Sequence, residues 1–126
     1  KKLVTGSWRT ERALQVWDFA TGKVCEEVDW CSGPSQAAGP PQTTSKLFCA
    51  QFSRDPGSSM IVAGGSQENE VKFFYHTPNK TTAVFGEITG LPKPVFSVCF
   101  APTSSTAAVG CSDGDIRVVE AVKMNG

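Results

Sequence analysis

Side-chain chemistry in this chain would have to come from a short roster. His76 is the only histidine, so a nucleophile could find an imidazole base at that one place alone. It directly follows an apolar run and reads as a surface or turn residue. The five cysteines, Cys25, Cys31, Cys49, Cys99 and Cys111, include no Cys-x-x-Cys pair, and one histidine is too few to complete a zinc site with them. Cys49 and Cys99 fall in apolar strand patterns, where a free thiol behaves as a small hydrophobe. Reduced structural thiols predict an intracellular, cytoplasmic setting, with a cytoskeletal or nuclear assembly as the other possibilities. Asp113, Gly114 and Asp115 supply too few oxygen ligands for calcium. Gly64-Gly65 has no following helix to cradle a phosphate. Asn79-Lys80-Thr81 is a glycosylation triplet that matters only in a secreted protein. The reading is therefore of a protein that is not an enzyme, with no catalytic residue, no cofactor and no metal.

Binding chemistry is better represented. Trp8, Arg9 and Arg12 bring to one polar stretch residue types enriched in binding hot spots. They are the candidate partner-binding residues. The plainer alternative has Trp8 packing over its own sheet and the arginines merely solvated. Trp30, at a strand end, is expected to anchor the segment that follows it.

Twelve Lys+Arg balance twelve Asp+Glu, which leaves no net field to draw nucleic acid or an anionic membrane. No apolar run approaches the ~20 residues a transmembrane helix needs. With 40% hydrophobic residues, the 126-residue chain can bury a core. Its first residues lack the apolar stretch of a signal peptide, and it reads as a fragment of a longer soluble chain.

Positioning falls to short strands. In Ala13–Asp18, Leu14 and Val16 point one way and Gln15 and Trp17 the other. Similar runs are predicted at Lys2–Ser7, Lys23–Trp30, Leu47–Phe52, Met60–Ala63, Glu70–Tyr75, Thr81–Ile88, Val95–Phe100, Ala107–Gly110 and Asp115–Val119. Thr21-Gly22, Asp55-Pro56-Gly57 and Ser112–Gly114 supply turns. Glu26 and Glu27 mark the third strand as an exposed edge. Phe73 and Phe74 must lie on opposite faces of one strand. Residues 31–45, rich in Gly, Pro, Ser and Thr, are predicted to form a flexible surface insertion. No helix is expected, and the fold class is all-β.

The strands repeat. Phe48–Ser53 aligns with Phe96–Ala101, and Val71–Tyr75 aligns with Ile116–Glu120. Ala13–Asp18 is a third member of the latter set. A period of about 45 residues with four short strands per unit is that of a propeller blade. On these residues the chain resembles the WD-repeat β-propeller family. Its third unit carries the closest likeness, Ala108-Val109-Gly110-Cys111-Ser112-Asp113-Gly114-Asp115, followed by Ile116–Glu120. Trp17-Asp18 closes the first unit in the family manner. The Gly-His pair that opens a repeat is absent, and Phe74 and Val119 replace the tryptophan.

The resemblance implies a partial propeller of about two and a half four-stranded antiparallel blades, with units at about 1–30, 46–89 and 94–126. It implies the C-terminal end of a propeller whose other blades precede this segment. Asp113 would be the structural turn aspartate. The function implied is a non-catalytic protein–protein interaction scaffold in a multiprotein assembly, whose partners are other proteins and the remaining blades, without nucleic acid or membrane. The alternatives are a propeller enzyme, or a nucleic-acid- or lipid-binding propeller, with its site in blades outside this segment.

Overall fold

The computed structural model describes residues 1–30, 43, 45–103 and 105–121. Among them are ten strands and no helix: β1 (Lys2–Gly6), β2 (Leu14–Asp18), β3 (Lys23–Glu27), β4 (Lys46–Phe52), β5 (Met60–Ser66), β6 (Val71–Tyr75), β7 (Ala83–Ile88), β8 (Val95–Phe100), β9 (Thr106–Cys111) and β10 (Ile116–Glu120). All pair antiparallel, as short strands joined by tight turns do. They form three sheets in the orders β1-β2-β3, β4-β5-β6-β7 and β8-β9-β10. The expected strand positions are all occupied. The largest differences in extent are at Lys23–Trp30, whose strand ends at Glu27 although the Val28 N–H still donates to the Leu14 carbonyl, and at Met60–Ala63, whose strand runs on to Ser66.

The turns follow from local hydrogen bonding. Asp18 Oδ2 accepts from the Thr21 hydroxyl (2.7 Å) and from the Thr21 N–H, closing the β2–β3 turn, in which Gly22 adopts φ +69°. Those bonds hold the Asp18 carboxyl below its usual pKa. In the β4–β5 turn the Ser53 hydroxyl and the Ser59 N–H both donate to Asp55, outweighing the desolvation that would raise its pKa. Asp113 Oδ1 accepts from the Asp115 N–H at 3.0 Å in the β9–β10 turn, with Gly114 at φ +90°.

The sheets stack face to face, and two cores lie between them. Ala13, Leu14, Val16, Val28 and Trp30 of the first unit meet Leu47, Ile61, Ala63 and Phe74 of the second. Val62, Val71 and Phe73 meet Val95, Val98, Phe100, Ala107 and Val109 of the third. Phe74 thus faces one core and Phe73 the other, as their adjacent positions require. The middle sheet is covered on both faces. Each buried Val, Leu, Ile or Phe contributes about 1.5–3 kcal/mol.

Close approach, between neighbouring strands at Gly65 and between sheets at Gly64, demands small residues. A Cβ on Gly65 would lie 1.7 Å from the Lys46 carbonyl oxygen, and one on Gly64 would lie 2.9 Å from Val95. Gly64-Gly65 is therefore a packing device at the centre of the second sheet.

Several polar groups buried at the first junction share one network, while the buried Thr43 Oγ1 has no hydrogen-bond partner among the described residues. The Trp30 indole N–H donates to Glu70 Oε1 at 2.7 Å, and the Ser45 hydroxyl donates to the same oxygen at 3.0 Å. The Lys72 ammonium donates to the Trp30 carbonyl at 2.8 Å and sits 5.1 Å from the Trp30 ring centroid. Trp30 is therefore a core residue that braces the first two sheets. Most of the 31–45 insertion lies outside the described residues. The two described members, Thr43 and Ser45, are buried rather than part of a free surface loop.

Candidate functional site

β1, β4 and β8 lie at the sheet edges and come together as one shared margin of the three sheets. Edge strands leave backbone groups unpaired, and this margin is shaped by two β-bulges. In the β4–β5 ladder the register passes from Leu47↔Gly65 to Cys49↔Gly64, leaving Phe48 as the extra residue. In the β8–β9 ladder it passes from Val95↔Cys111 to Ser97↔Gly110, leaving Phe96 as the extra residue. A bulge re-aims its side chain out of the alternating pattern. Here it brings Phe48 and Phe96 into contact, with ring centroids 5.3 Å apart and planes at 63°.

Trp8 extends the row. Its ring meets Phe48 edge to face at 5.3 Å, and the Lys46 ammonium stands 5.6 Å from its centroid. The position of Trp8 is set from β1: the Ser7 carbonyl accepts the Leu47 N–H at 3.0 Å, tying the end of β1 to the start of β4. Trp8 is 62% exposed and Phe96 57% exposed. The outcome is a surface row, Trp8–Phe48–Phe96, spanning all three sheets and flanked by a cation. Edge-to-face pairs contribute roughly 0.5–1.5 kcal/mol each beyond area burial, so the row is a defined shape even where solvent reaches it.

The three candidates from one loop take different places. Trp8 joins the row. Arg9 is exposed, and its backbone N–H makes a long 3.4 Å bond to the Ser7 hydroxyl. Arg12 is engaged elsewhere, its guanidinium 2.8 Å from Glu27 and 3.7 Å from Glu11, with the backbone at φ +55°. A half-exposed pair of this kind adds little stability; its effect is to orient the loop. Asp113 is at the turn described above. Phe48 and Phe96 were not among the sequence candidates. Their only sequence signal is that both open a strand at matching positions of the repeat.

His76 takes one of its two expected places, the β6–β7 turn, but it is buried rather than on the surface. Glu26 reaches it from the first sheet. Its carboxylate accepts from the Thr82 hydroxyl (2.6 Å) and the Thr82 N–H (2.8 Å) and lies 3.8 Å from His76 Nδ1. The Thr82 hydroxyl has one proton, and with that proton on Glu26 it can only accept from His76 Nδ1, at 2.8 Å. Burial, aided by the Lys2 charge and opposed by Glu26, lowers the His76 pKa. Glu26 is thus a strut between sheets, and the edge charge of β3 is carried by Glu27. The His76 Nδ1 proton is thereby held by the Thr82 hydroxyl as part of the packing between the two sheets.

The cysteines follow their surroundings. Among the described residues all are free. Cys49 is half-buried and its thiol is pushed up to about 11 by burial. Cys99, expected to be a small hydrophobe in a strand, is exposed instead. No group of three or more His, Cys, Asp and Glu among the described residues could hold a metal ion. In comparisons with known proteins, no family model matches the chain and no curated protein shows a significant match.

Proposed function

We propose that the three sheets are blades of a WD-repeat-type β-propeller and that the protein is a non-catalytic scaffold, holding protein partners against the Trp8–Phe48–Phe96 row. The observation that carries this reading is the pair of equivalent bulges that place two phenylalanines beside an exposed tryptophan. Aromatic anchors at the centre of a patch dominate protein interfaces, and a row of three with one cation is of that composition.

The blade assignment draws on further recurrence. The β2–β3 ladder of the first sheet and the β6–β7 ladder of the second also carry matching irregularities, between Val16/Trp17 and between Phe73/Phe74. Those are the positions the sequence repeat aligns. Sheets stacked face to face with their first strands along one margin suit radial repetition. In this reading the remaining blades are further partners, and free thiols accord with an intracellular assembly.

The test is affinity capture with the wild-type chain and with a Trp8→Ala, Phe96→Ala variant. At least one specifically recovered protein is expected to be lost from the variant, whose fold is checked by circular dichroism. Identical recoveries with a folded variant would remove the row from the function.

A further inference from the structure

Thr77-Pro78 is the only place in the chain where a serine or threonine precedes a proline, and Lys80 follows two residues after that proline. A hydroxyl residue, a proline and a basic residue at that spacing form the pattern that proline-directed protein kinases take as substrate. So short a pattern is informative only in its structural context.

That context is the β6–β7 turn. Thr77, Pro78, Asn79 and Lys80 are all exposed, between His76 and Thr82, which are buried. The turn is fixed at both ends: the His76 N–H donates to the Ser59 carbonyl at 2.8 Å, and the Thr82 N–H donates to Glu26 at 2.8 Å. Between these anchors the Lys80 N–H donates to the Thr77 carbonyl at 3.3 Å, with Pro78 at the second turn position, where its fixed φ fits. A kinase reads its substrate in extended form, and the one bond that closes Thr77–Lys80 is long.

The charges around Thr77 suit a phosphate. Thr77 lines a cleft of about 480 Å³ together with Lys2 of the first sheet, Glu26, Glu27, His76 and Lys80. Glu27 is paired with Arg12 at 2.8 Å, and Glu26 accepts from Thr82. Neither Lys2 nor Lys80 makes a salt bridge among the described residues. The Lys2 charge is felt at His76, beside Thr77, where it adds to the effect of burial in lowering the imidazole pKa. Glu26 is the carboxylate left to oppose a phosphate here, and the two lysines outnumber it.

We propose that Thr77 is a phosphorylation site for a proline-directed protein kinase and that Lys2 and Lys80 receive the phosphate. The Thr77 Oγ attacks the γ-phosphorus of ATP, the bond from that phosphorus to the ADP oxygen breaks, and the hydroxyl proton passes to the kinase. The product carries about 1.5–2 negative charges at neutral pH and three strong acceptor oxygens. Set between Lys2 of the first sheet and Lys80 of the second, it ties the two sheets together at an end where Glu26 already joins them. The proposal takes from the proposed function only the intracellular setting, and depends on neither the blades nor the aromatic row.

The test is incubation of the folded 126-residue chain with a cyclin-dependent kinase and Mg-ATP, read by mass spectrometry. That class of kinase prefers a basic residue where Lys80 stands. One phosphoryl group is expected, on Thr77. Thr77→Ser should keep it, while Thr77→Ala and Pro78→Ala, which change exposed residues, should lose it. No incorporation into the folded chain, or equal incorporation into Thr77→Ala or Pro78→Ala, overturns the proposal. Thermal unfolding of the two forms then tests the receiving lysines. The phosphorylated chain should unfold at a higher temperature in low salt, with a smaller gain in high salt and in Lys2→Gln. A phosphorylated chain that unfolds at the same or a lower temperature, or a gain that Lys2→Gln leaves intact, overturns the assignment of the phosphate to those lysines. Neither result bears on the scaffold reading, because Trp8, Phe48 and Phe96 are unchanged in every variant used.

Discussion

Phe48 and Phe96 occupy the same bulged position in two equivalent edge strands, and their rings meet edge to face at 5.3 Å. A strand that alternated regularly would send each ring to one face of its sheet. The extra residue turns both toward the margin, where Trp8 completes the row. Structure and proposed docking surface are thus linked by a backbone irregularity that the chain makes twice.

Removing exposed members of that row should cost little stability. Trp8→Ala loses one edge-to-face contact, and a change of no more than about 1 kcal/mol in unfolding free energy is expected. Urea denaturation of the variant checks this. A much larger loss would mean that Trp8 serves the core rather than a partner.

The middle sheet should be far less tolerant. Phe74 is fully buried between the first two sheets, and Phe74→Ala should cost about 3–5 kcal/mol. Ile116→Ala, at the aligned strand of the third sheet, should change stability by no more than about 0.5 kcal/mol, because Ile116 is exposed. Gly65→Ala should be as damaging as Phe74→Ala, because its methyl would collide with the Lys46 carbonyl and open the β4–β5 ladder. Denaturant midpoints for the three variants give the ranking directly.

How much of this could be read in the sequence depends on the range of the interaction. Strands such as Leu14–Asp18 and Val71–Tyr75 were legible because period-2 alternation and turn residues are local signals. The opposite facings of Phe73 and Phe74 followed from the same rule. The bulges at Phe48 and Phe96 were not legible, since an extra residue in a ladder is defined only by the partner strand. Glu26 was read as an edge charge because its strand is an edge; its bond to Thr82 crosses between sheets. The burial of His76 in its turn and the exposure of Cys99 were not legible for a related reason. Each strand end or strand face is exposed or buried according to the neighbouring sheet, and no local pattern reports it. The separation of Arg12 from Trp8 likewise depends on Glu27, on another strand.

The buried indole at the first junction gives a further prediction. Trp30→Phe keeps most of the ring but removes the N–H that donates to Glu70. Ser45 still donates to that carboxylate. A cost of about 1–3 kcal/mol is expected from the weakened satisfaction of a buried charge. The expected result is a lower urea midpoint with an unchanged slope. A variant as stable as wild type would mean that the indole N–H–Glu70 bond contributes nothing.

Acidification should weaken the fold through His76. Its folded pKa lies below the ordinary 6.5, so the unfolded chain takes up the proton first as pH falls. The contribution is fully present above 6.5 and is lost as pH drops from there through the lowered folded value. His76→Gln should therefore show a shallower loss of thermal stability between neutral pH and pH 5 than wild type. Parallel profiles would show that His76 does not titrate differently in the two states.

Hydrogen–deuterium exchange of the chain with and without a protein recovered through the aromatic row tests the central proposal most directly. Added partner should slow exchange at residues 7–9, 46–48 and 95–97, the three segments that build the margin, and leave the β6–β7 turn unchanged. Protection confined to other surfaces, or none at all with the partner bound, would contradict it.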